Sequence, residues 1–252
     1  MFQKIQDILS KPIRRKKKFS VREQKKKYKK LQFKYRKNAS PHSFDWDWDS
    51  INYNRIALVN LLISLKGSDC NYLEIGCDKN ELFNSVFCQN KIGVDPGRGG
   101  TIRKTSDDFF LANKEQFDVI FVDGLHVHAQ VRQDIINALK CLKKGGWICF
   151  HDCLPANWLE QNIPQLQGDW TGDVWKLTVE LANTKDIDFR IFEIDYGIGV
   201  LRARVDEPKI VDMGAELEPA LFDYFYEKFN TLPVCSWIEG LEWIKLRENG
   251  SI

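Results

Sequence analysis

The sequence contains no long apolar run, and no segment reaches the roughly 20 apolar residues that a membrane-spanning helix requires. Its first residues, MFQKIQDILSKPIRRKKKF, lack the apolar core of a secretory signal. We therefore expect a soluble, cytoplasmic protein. A chain of 252 residues can bury one sizeable core or two small ones, and we expect one main domain.

Paired cysteines are also missing. The seven cysteines are scattered through apolar segments and never form a CxxC motif, as is typical of reduced, packed thiols. Cys149, His151 and Cys153 alternate and would share one face of a strand, but no second ligand pair accompanies them. Neither a disulfide framework nor a zinc site is expected.

Acidic residues are almost absent from the N-terminal arm, residues 1–40. From Lys11 to Lys37 there are 15 Lys or Arg and one acid, Glu23, whereas the whole chain has a net charge of +2. The arm, helical or disordered, has three possible roles: a solvated tail, a contact to an anionic inner-membrane surface, or a contact to nucleic acid. Because no zinc-finger spacing or RNA-recognition aromatic pair accompanies it, nucleic acid is the weaker ligand.

The remaining chain alternates short β-rich runs with stretches long enough for helices, which predicts a parallel sheet with helices on both faces. A tight connection at Tyr196 and Gly197 between two further runs predicts an antiparallel hairpin at a sheet edge. The sheet would occupy residues 41–210, and residues 211–252 would form a helical cover or a contact in a homo-oligomer. The runs are NYLEIG, KIGVDP, TIRKTS, FDVIFVDG, GWICFHD, FRIFEID and GIGVLRAR.

Three helical boundaries follow from apolar periodicity and breakers. The first helix is predicted from about Ser50 to Leu65. The clearest helix, in HAQVRQDIINALKCLKKGG, is predicted to end at Gly145 and Gly146. The C-terminal segment is predicted to form two amphipathic helices that are broken near Pro233.

Polar residues stand where the predicted strands end. In open α/β sheets, ligands bind beyond the carboxyl ends of the strands, so these residues are the candidates for a site. They are Glu74, Gly76, Asp95, Ser106, Asp107, Asp123, His151 and Asp152.

Two of these candidates indicate a nucleoside cofactor. Gly76 lets a ligand approach the backbone closely, and Asp95 follows Glu74 by about 20 residues, where an acid accepts hydrogen bonds from ribose hydroxyls. The glycines of a G-x-G-x-x-G motif are missing, so a pyrophosphate has no cradle, which favours an adenosine cofactor such as S-adenosylmethionine. The structural alternatives are a strand-to-helix turn at Gly76 and a turn before Pro96.

These segments together resemble class I S-adenosylmethionine-dependent methyltransferases, most closely the small bacterial type associated with surface-polysaccharide or sugar modification. The resemblance implies a Rossmann-like sheet of seven strands, six parallel and one antiparallel near the edge. It implies that Glu74 and Gly76 line the methionine and ribose part, that Asp95 holds the ribose, and that Ser106 and Asp107 lie beside the adenine. The segments are LEIGCDKNELF, KIGVDPGRGGTIRKTSDDFF, FDVIFVDGLHVHAQ, GGWICFHDCLP and WTGDVWK.

Two features qualify the resemblance. Asn80 stands where many relatives have glycine, and asparagine tolerates left-handed backbone better than most residues. Ser106 and Asp107 have a further structural alternative, because TSDDFF also fits the N-cap of a helix.

The stretch FDVIFVDGLHVH carries the candidate chemistry. Asp123 and His126 resemble the acid and base of catechol-type methyltransferases, in which the acid binds Mg²⁺ and the base takes the proton of the acceptor hydroxyl. A free imidazole has a pKa of about 6.5, so His126 would accept a proton near neutral pH. Asp152 is the second possible Mg²⁺ ligand, and His151 or Asp152 otherwise assists proton transfer or holds the substrate. The structural alternative for the whole cluster is capping of the following helices.

Two nearby features have open roles. His128 is either a substrate contact or a residue of the first helical turn. The segment GDWTGDVWK, which includes Trp170 and Trp175, is either an aromatic wall for a substrate or a packed corner.

Three functions remain open. The first is O-methylation of a sugar or another small hydroxyl substrate, in polysaccharide biosynthesis and near an anionic membrane. The second is nucleic-acid methylation guided by the arm, although no N-P-P-Y-like motif is present. The third is a binding module that has kept the fold and lost the reaction. The presence of Asp123, His126 and Asp152 argues against this third function.

Overall fold

A seven-stranded mixed sheet forms the centre of the computed structural model, which describes residues 20–67 and 69–250. The strand order is β2-β1-β3-β4-β6-β5-β7, and β6 alone is antiparallel to its neighbours. This confirms the predicted Rossmann-like methyltransferase fold, with the antiparallel strand third from one edge. The strands are β1 Asn71–Ile75, β2 Asn90–Val94, β3 Phe117–Val122, β4 Leu142–Phe150, β5 Ile187–Phe192, β6 Ile198–Ala203 and β7 Val234–Cys235.

Helices cover both faces of the sheet. In the part of the chain that the structure describes, none is long and apolar enough to cross a membrane. They are α1 Val21–Lys34, α2 Arg55–Lys66, α3 Glu81–Ser85, α4 Ser106–Ala112, α5 His128–Cys141, α6 Trp158–Gln161, α7 Trp175–Ala182, α8 Gly214–Leu217, α9 Phe222–Lys228 and α10 Trp237–Glu248.

Two hydrophobic cores lie on opposite faces of the sheet, because successive side chains of a strand point to opposite sides. In β3, Ile120 and Val122 belong to the core under α5 and α7, whereas Val119 and Phe121 belong to the core under α2 and α10. Since both faces are covered, the central strands are apolar at nearly every position, as expected for buried parallel strands.

The predicted strand in TIRKTS is wrong: only Ile102 pairs with the sheet, in an isolated bridge with Val94. The N–H groups of Thr101 and Ile102 both donate to the carbonyl oxygen of Gly93, which turns the chain away from the sheet. The side chain of Thr105 then accepts a hydrogen bond from the backbone of α4, which begins here. The edge strand on this side of the sheet is therefore β2.

The first predicted helix begins later than expected, at Arg55, because Asn54 caps it by accepting hydrogen bonds from two backbone N–H groups. A short 3-10 turn, Trp48–Ser50, occupies the place where the helix was predicted to begin.

Gly145 and Gly146 do not end α5, which stops at Cys141; both glycines lie within β4. The strand pairing shifts here, from Phe117 opposite Leu142 to Val119 opposite Trp147. A Cβ atom on Gly146 would lie 2.7 Å from the carbonyl oxygen of Asp118. The glycines are therefore required by a bulge that sequence periodicity cannot distinguish from a helix end.

The predicted hairpin of β5 and β6 is present, but it does not lie at the edge of the sheet. The two-residue strand β7 follows Pro233 and pairs in parallel with β5. The predicted break near Pro233 is thus confirmed, and a short edge strand occupies it.

Helix α10 approaches the sheet closely at Gly240, where a Cβ atom would lie 2.2 Å from the ring of Phe192. We expect Gly240→Ala to lower the free energy of unfolding by about 1–3 kcal/mol, although alanine alone would favour the helix, because the clash displaces α10. Urea denaturation measures this change. Gly168→Ala is the control, since nothing lies within 4 Å of its Cβ position, and an equal loss in that variant would contradict the explanation.

Candidate active site

A cleft of about 1280 Å³ opens at the carboxyl ends of β1 to β4. Sites that enclose one drug-sized ligand measure roughly 300–1,000 Å³, so this cleft has room for a cofactor and an acceptor together. It is lined by all but one of the predicted site residues: Gly76, Asp95, Ser106, Asp107, Asp123, His126, His151 and Asp152.

Glu74 is the exception, because it lies buried beneath the cleft rather than in its wall. One carboxylate oxygen accepts a hydrogen bond from the hydroxyl of Tyr72 at 2.7 Å. Burial raises the pKa of Glu74 to about 7. Successive side chains of a strand point to opposite faces, so Glu74 points away from the side of Leu73 and Ile75. Glu74 therefore lies beneath the floor of the cleft instead of lining it.

Gly76 brings two strand ends together. Its φ is +88°, and a Cβ atom would lie 2.0 Å from the carbonyl oxygen of Asp123. The N–H of Asp123 donates to the carbonyl of Ile75 at 2.7 Å, so the two loops are joined directly. Asn80 has left-handed backbone, with φ 65° and ψ 25°, as its tolerance for that conformation predicts.

Asp95 organises the loop that follows β2. One carboxylate oxygen accepts hydrogen bonds from the N–H groups of Gly97 and Arg98, and the other accepts from the N–H of Asp78. The acid therefore connects the loops after β1 and β2 at the wall of the cleft. Its role as a ribose acceptor stays a prediction, and the observed bonds show how the carboxylate is held in place.

Ser106 and Asp107 lie at the start of α4, where Thr105 rather than Ser106 is the N-cap. Both side chains accept hydrogen bonds from the amide of Gln130, which also lines the cleft and which the sequence analysis missed. The same amide donates to Asp134, a buried carboxylate of α5. Its place on the polar face of a predicted helix was the only available signal for Gln130.

The predicted catalytic residues form one cluster. His126 Nδ1 lies 2.9 Å from Asp152 Oδ2, and His126 Nε2 lies 3.3 Å from Asp123 Oδ1. His151 Nδ1 lies 3.2 Å from Asp152 Oδ1 and 3.8 Å from Asp123 Oδ1. The ends of β3 and β4 therefore place two imidazoles between two carboxylates.

Two further members of the cluster were missed. Asp195 lies 3.4 Å from His151 Nε2 and accepts hydrogen bonds from the backbone and side chain of Arg55. Both residues line the cleft. Asp195, Tyr196 and Gly197 all have positive φ, so the turn that the sequence marked by its glycine also aims an acid at the site.

The carboxylates control the protonation of both histidines. Burial lowers the pKa of His126, but Asp152 and Asp123 outweigh it and hold that pKa well above its ordinary value. Burial also lowers the pKa of His151, but the neighbouring carboxylates outweigh it and raise this pKa to about 10. The ordinary imidazole pKa assumed from the sequence does not apply to His126, because the two carboxylates raise its pKa.

A divalent cation fits part of this cluster. Ligand atoms of Asp123, His126 and Asp152 lie within 4.8 Å of one another. The two carboxylates suit Mg²⁺, whereas the imidazole is a ligand more typical of transition metals. Asp123 and Asp152 remain the predicted ligands, and His151 is occupied by its acidic neighbours.

The segment GDWTGDVWK contributes to both the cleft and the core, and His128 lies outside the cleft. Trp170 lines the cleft and stacks on His126 with ring centroids 5.1 Å apart. Trp175 is fully buried. His128 faces α7 instead of the cleft, with its Nε2 3.2 Å from Glu180, which agrees with a role in the first helical turn.

Asp134 gives the cleft wall a pH-dependent stability. Burial raises the pKa of Asp134 to about 6, so the folded protein binds more protons than the unfolded chain between about pH 4 and pH 6. This contribution to stability is present in acid and is lost as the pH rises through 6.

We expect Asp134→Asn to raise the free energy of unfolding at pH 7.5 by about 2 kcal/mol and to leave it nearly unchanged below pH 4.

Urea denaturation from pH 4 to pH 7.5 tests this expectation. Asp206→Asn is the matched control, since that carboxylate is 89% exposed. Equal effects of the two substitutions at pH 7.5 would show that burial of Asp134 is not the cause.

Comparison with known proteins bears on the central part of the chain. Residues 81–153 match the family model described as a methyltransferase domain. This segment contains Asp95, Asp123, His126 and Asp152, but it is less than a third of the chain. No curated protein sequence matches the chain.

Three solved structures illustrate the likeness in fold. The N-methyltransferase NodS from Bradyrhizobium japonicum WM9 is 21% identical, with a TM-score of 0.39, over 62% of this chain and 95% of that chain. The SAH-bound methyltransferase PaMTH1 from Podospora anserina is 14% identical, with a TM-score of 0.45, over 75% and 98%. The SAM-bound O-methyltransferase TomG from Streptomyces achromogenes is 14% identical, with a TM-score of 0.44, over 75% and 92%.

The matched segment and the fold together show that this chain is similar to methyltransferase domains in its central, site-bearing part.

Proposed function

We propose that this protein is an S-adenosylmethionine-dependent methyltransferase that methylates a hydroxyl oxygen of a small, uncharged acceptor, with a sugar as the favoured class. One observation carries the proposal: the cluster of Asp123, His126 and Asp152 shares a single cleft with Gly76 and Asp95. The residues proposed to transfer the proton and the strand ends proposed to bind the nucleoside thus face the same cleft.

The charge of the cleft supports the choice of cofactor. Its only cationic side chains are Arg55, His126 and His151 among the described residues, and these lie together in the cluster. S-adenosylmethionine carries a net positive charge, whereas dinucleotides and nucleic acids bring phosphates that acidic walls repel. The lining acids are Asp78, Asp95, Asp107, Asp108, Asp123, Asp152, Asp169 and Asp195.

The residues favour methyl transfer to oxygen. The acceptor oxygen forms a bond to the methyl carbon, the carbon–sulfur bond breaks with its electron pair moving to sulfur, and the hydroxyl proton passes to the cluster. His126 lies beside the acceptor wall at Trp170 and is the proposed proton acceptor. Its first proton must leave before that step, and the positive charge of the sulfonium favours this loss because like charges repel.

A divalent cation held by Asp123 and Asp152 would make an acceptor hydroxyl more acidic. The chain's own contribution is separate: Asp195 and Arg55 fix His151, and His151 in turn supports Asp152.

The acceptor side of the cleft combines aromatic rings with a carboxylate. Trp170 and Tyr196 line it together with Asp169 and Gly168. Aromatic rings pack on the apolar face of a sugar ring, and carboxylates accept hydrogen bonds from its hydroxyls. This combination supports a sugar acceptor, and with it a place in polysaccharide biosynthesis.

The first test is calorimetric titration with S-adenosylmethionine and S-adenosylhomocysteine, with and without Mg²⁺. We expect micromolar binding, and we expect Asp95→Ala to weaken it at least about tenfold, because a hydrogen bond to a charged acceptor contributes roughly 1.5–3 kcal/mol. Asp206→Asn controls for the loss of one negative charge. If a folded sample bound neither compound, the proposed activity would be ruled out.

The second test concerns His126. We expect His126→Ala to retain cofactor binding and to lower kcat about 10²- to 10⁴-fold in transfer of labelled methyl groups to a panel of sugars and phenols. His42→Ala is the matched control, because that imidazole is exposed and stacks on Tyr226. Unchanged turnover in His126→Ala would remove this residue as the proton acceptor.

A further inference from the structure

Helix α1 presents an outward basic face, defined here as Arg22, Lys26, Lys29, Lys30 and Phe33. These residues follow a helical spacing of three and four, and all are exposed. The opposite side of the helix, with Tyr28, Leu31, Gln32 and Tyr35, is half-buried against the protein.

Among the described residues, the cations of the basic face form no ion pairs. Across residues 20–67 and 69–250, no carboxylate forms an ion pair with Arg22, Lys26, Lys29 or Lys30. Unpaired cations that share one helical face produce a positive field toward solvent. The face is therefore complementary to an extended anionic surface.

Phe33 adds an apolar group to this face. Its residue is 70% exposed, and the guanidinium of Arg36 lies 4.2 Å from its ring centroid. Exposure of an apolar ring to water is unfavourable. The ring of Phe33 can instead enter the boundary between the headgroups and the acyl chains of a bilayer while the cations remain at the phosphates. We propose that the basic face of α1 docks this protein on an anionic lipid bilayer.

The attachment of α1 ties docking to the cleft. The side-chain amide of Gln32 donates to the carbonyl oxygen of Leu166 at 3.0 Å, and that of Asn38 donates to the side-chain oxygen of Asn162 at 2.9 Å. The indole N–H of Trp170 donates to the carbonyl oxygen of Asn162. The loop that forms the acceptor wall therefore contacts the inner side of the N-terminal segment, and the proposed bilayer would lie across α1 from it.

The proposed docking does not depend on methyl transfer. The remaining basic residues of the predicted arm, up to residue 19, lie outside the described residues, so the assignment concerns α1 alone. A nucleic acid would bind the same cations, but single-strand binders stack successive bases on several aromatic rings, and the basic face has one. Nucleic acid is therefore an outcome of the test.

The test is flotation of the full chain with vesicles of phosphatidylcholine alone or with 30% phosphatidylserine, roughly the anionic content at which polybasic segments bind. We expect binding only to the anionic vesicles. The variant Arg22→Glu/Lys26→Glu/Lys30→Glu should lose at least about 100-fold in partitioning, since each basic residue contributes roughly fivefold. Lys114→Glu/Lys140→Glu/Lys144→Glu makes the same change in net charge on exposed residues elsewhere and should retain binding.

A second pair of variants isolates the apolar contribution. Phe33→Ser should weaken binding severalfold, by about the same factor at low and at high salt, because salt does not screen an apolar contact. Phe87→Ser is the control, because Phe87 is 81% exposed and lies outside α1.

Three results would overturn the proposal: equal binding by the α1 charge variant and the wild type, equal losses in both triple variants, or binding to duplex DNA or RNA but not to anionic vesicles. Calorimetry with S-adenosylhomocysteine on each variant checks that the protein is folded and the cleft is intact. A failure of docking is thereby distinguished from a failure of the proposed activity.

Discussion

The contact between Gly76 and the carbonyl oxygen of Asp123 determines the layout of the site. It joins the ends of two neighbouring parallel strands so closely that no side chain fits between them. The loop after β1, which is predicted to contact the nucleoside, is thereby held against the acid that begins the proposed proton-transfer cluster. The proposed methyl transfer requires a donor and an acceptor in one space.

The cluster satisfies a second constraint, which is electrical. Three carboxylates, those of Asp123, Asp152 and Asp195, face two imidazoles and the guanidinium of Arg55. Buried charges are tolerated when they are paired, and here the raised pKa values of the histidines supply the balancing positive charge. The carboxylates of the cluster are thus paired with imidazole and guanidinium groups.

The sequence predicts the sheet well because its central strands are apolar on both faces and end in polar residues. It also predicts the candidates at those ends, since parallel strands bring their carboxyl ends to one edge. It fails at Glu74, because alternation along β1 turns this side chain away from the cleft. It also fails at Asp195, because this acid reaches the cluster only through the β5–β6 turn. Gly145 and Gly146 show the same limit, because a bulge and a helix end use the same residue type.

The attachment of α1 makes the N-terminal helix a mechanical part of the acceptor wall. Gln32 and Asn38 hold the loop from Asn162 to Trp170, and Trp170 packs on His126. The indole N–H of Trp170 donates to the carbonyl oxygen of Asn162 in the same loop. The position of the ring above the proposed base therefore depends on side chains that lie more than 120 residues away in the sequence, and replacing Gln32 and Asn38 would remove two hydrogen bonds from that loop.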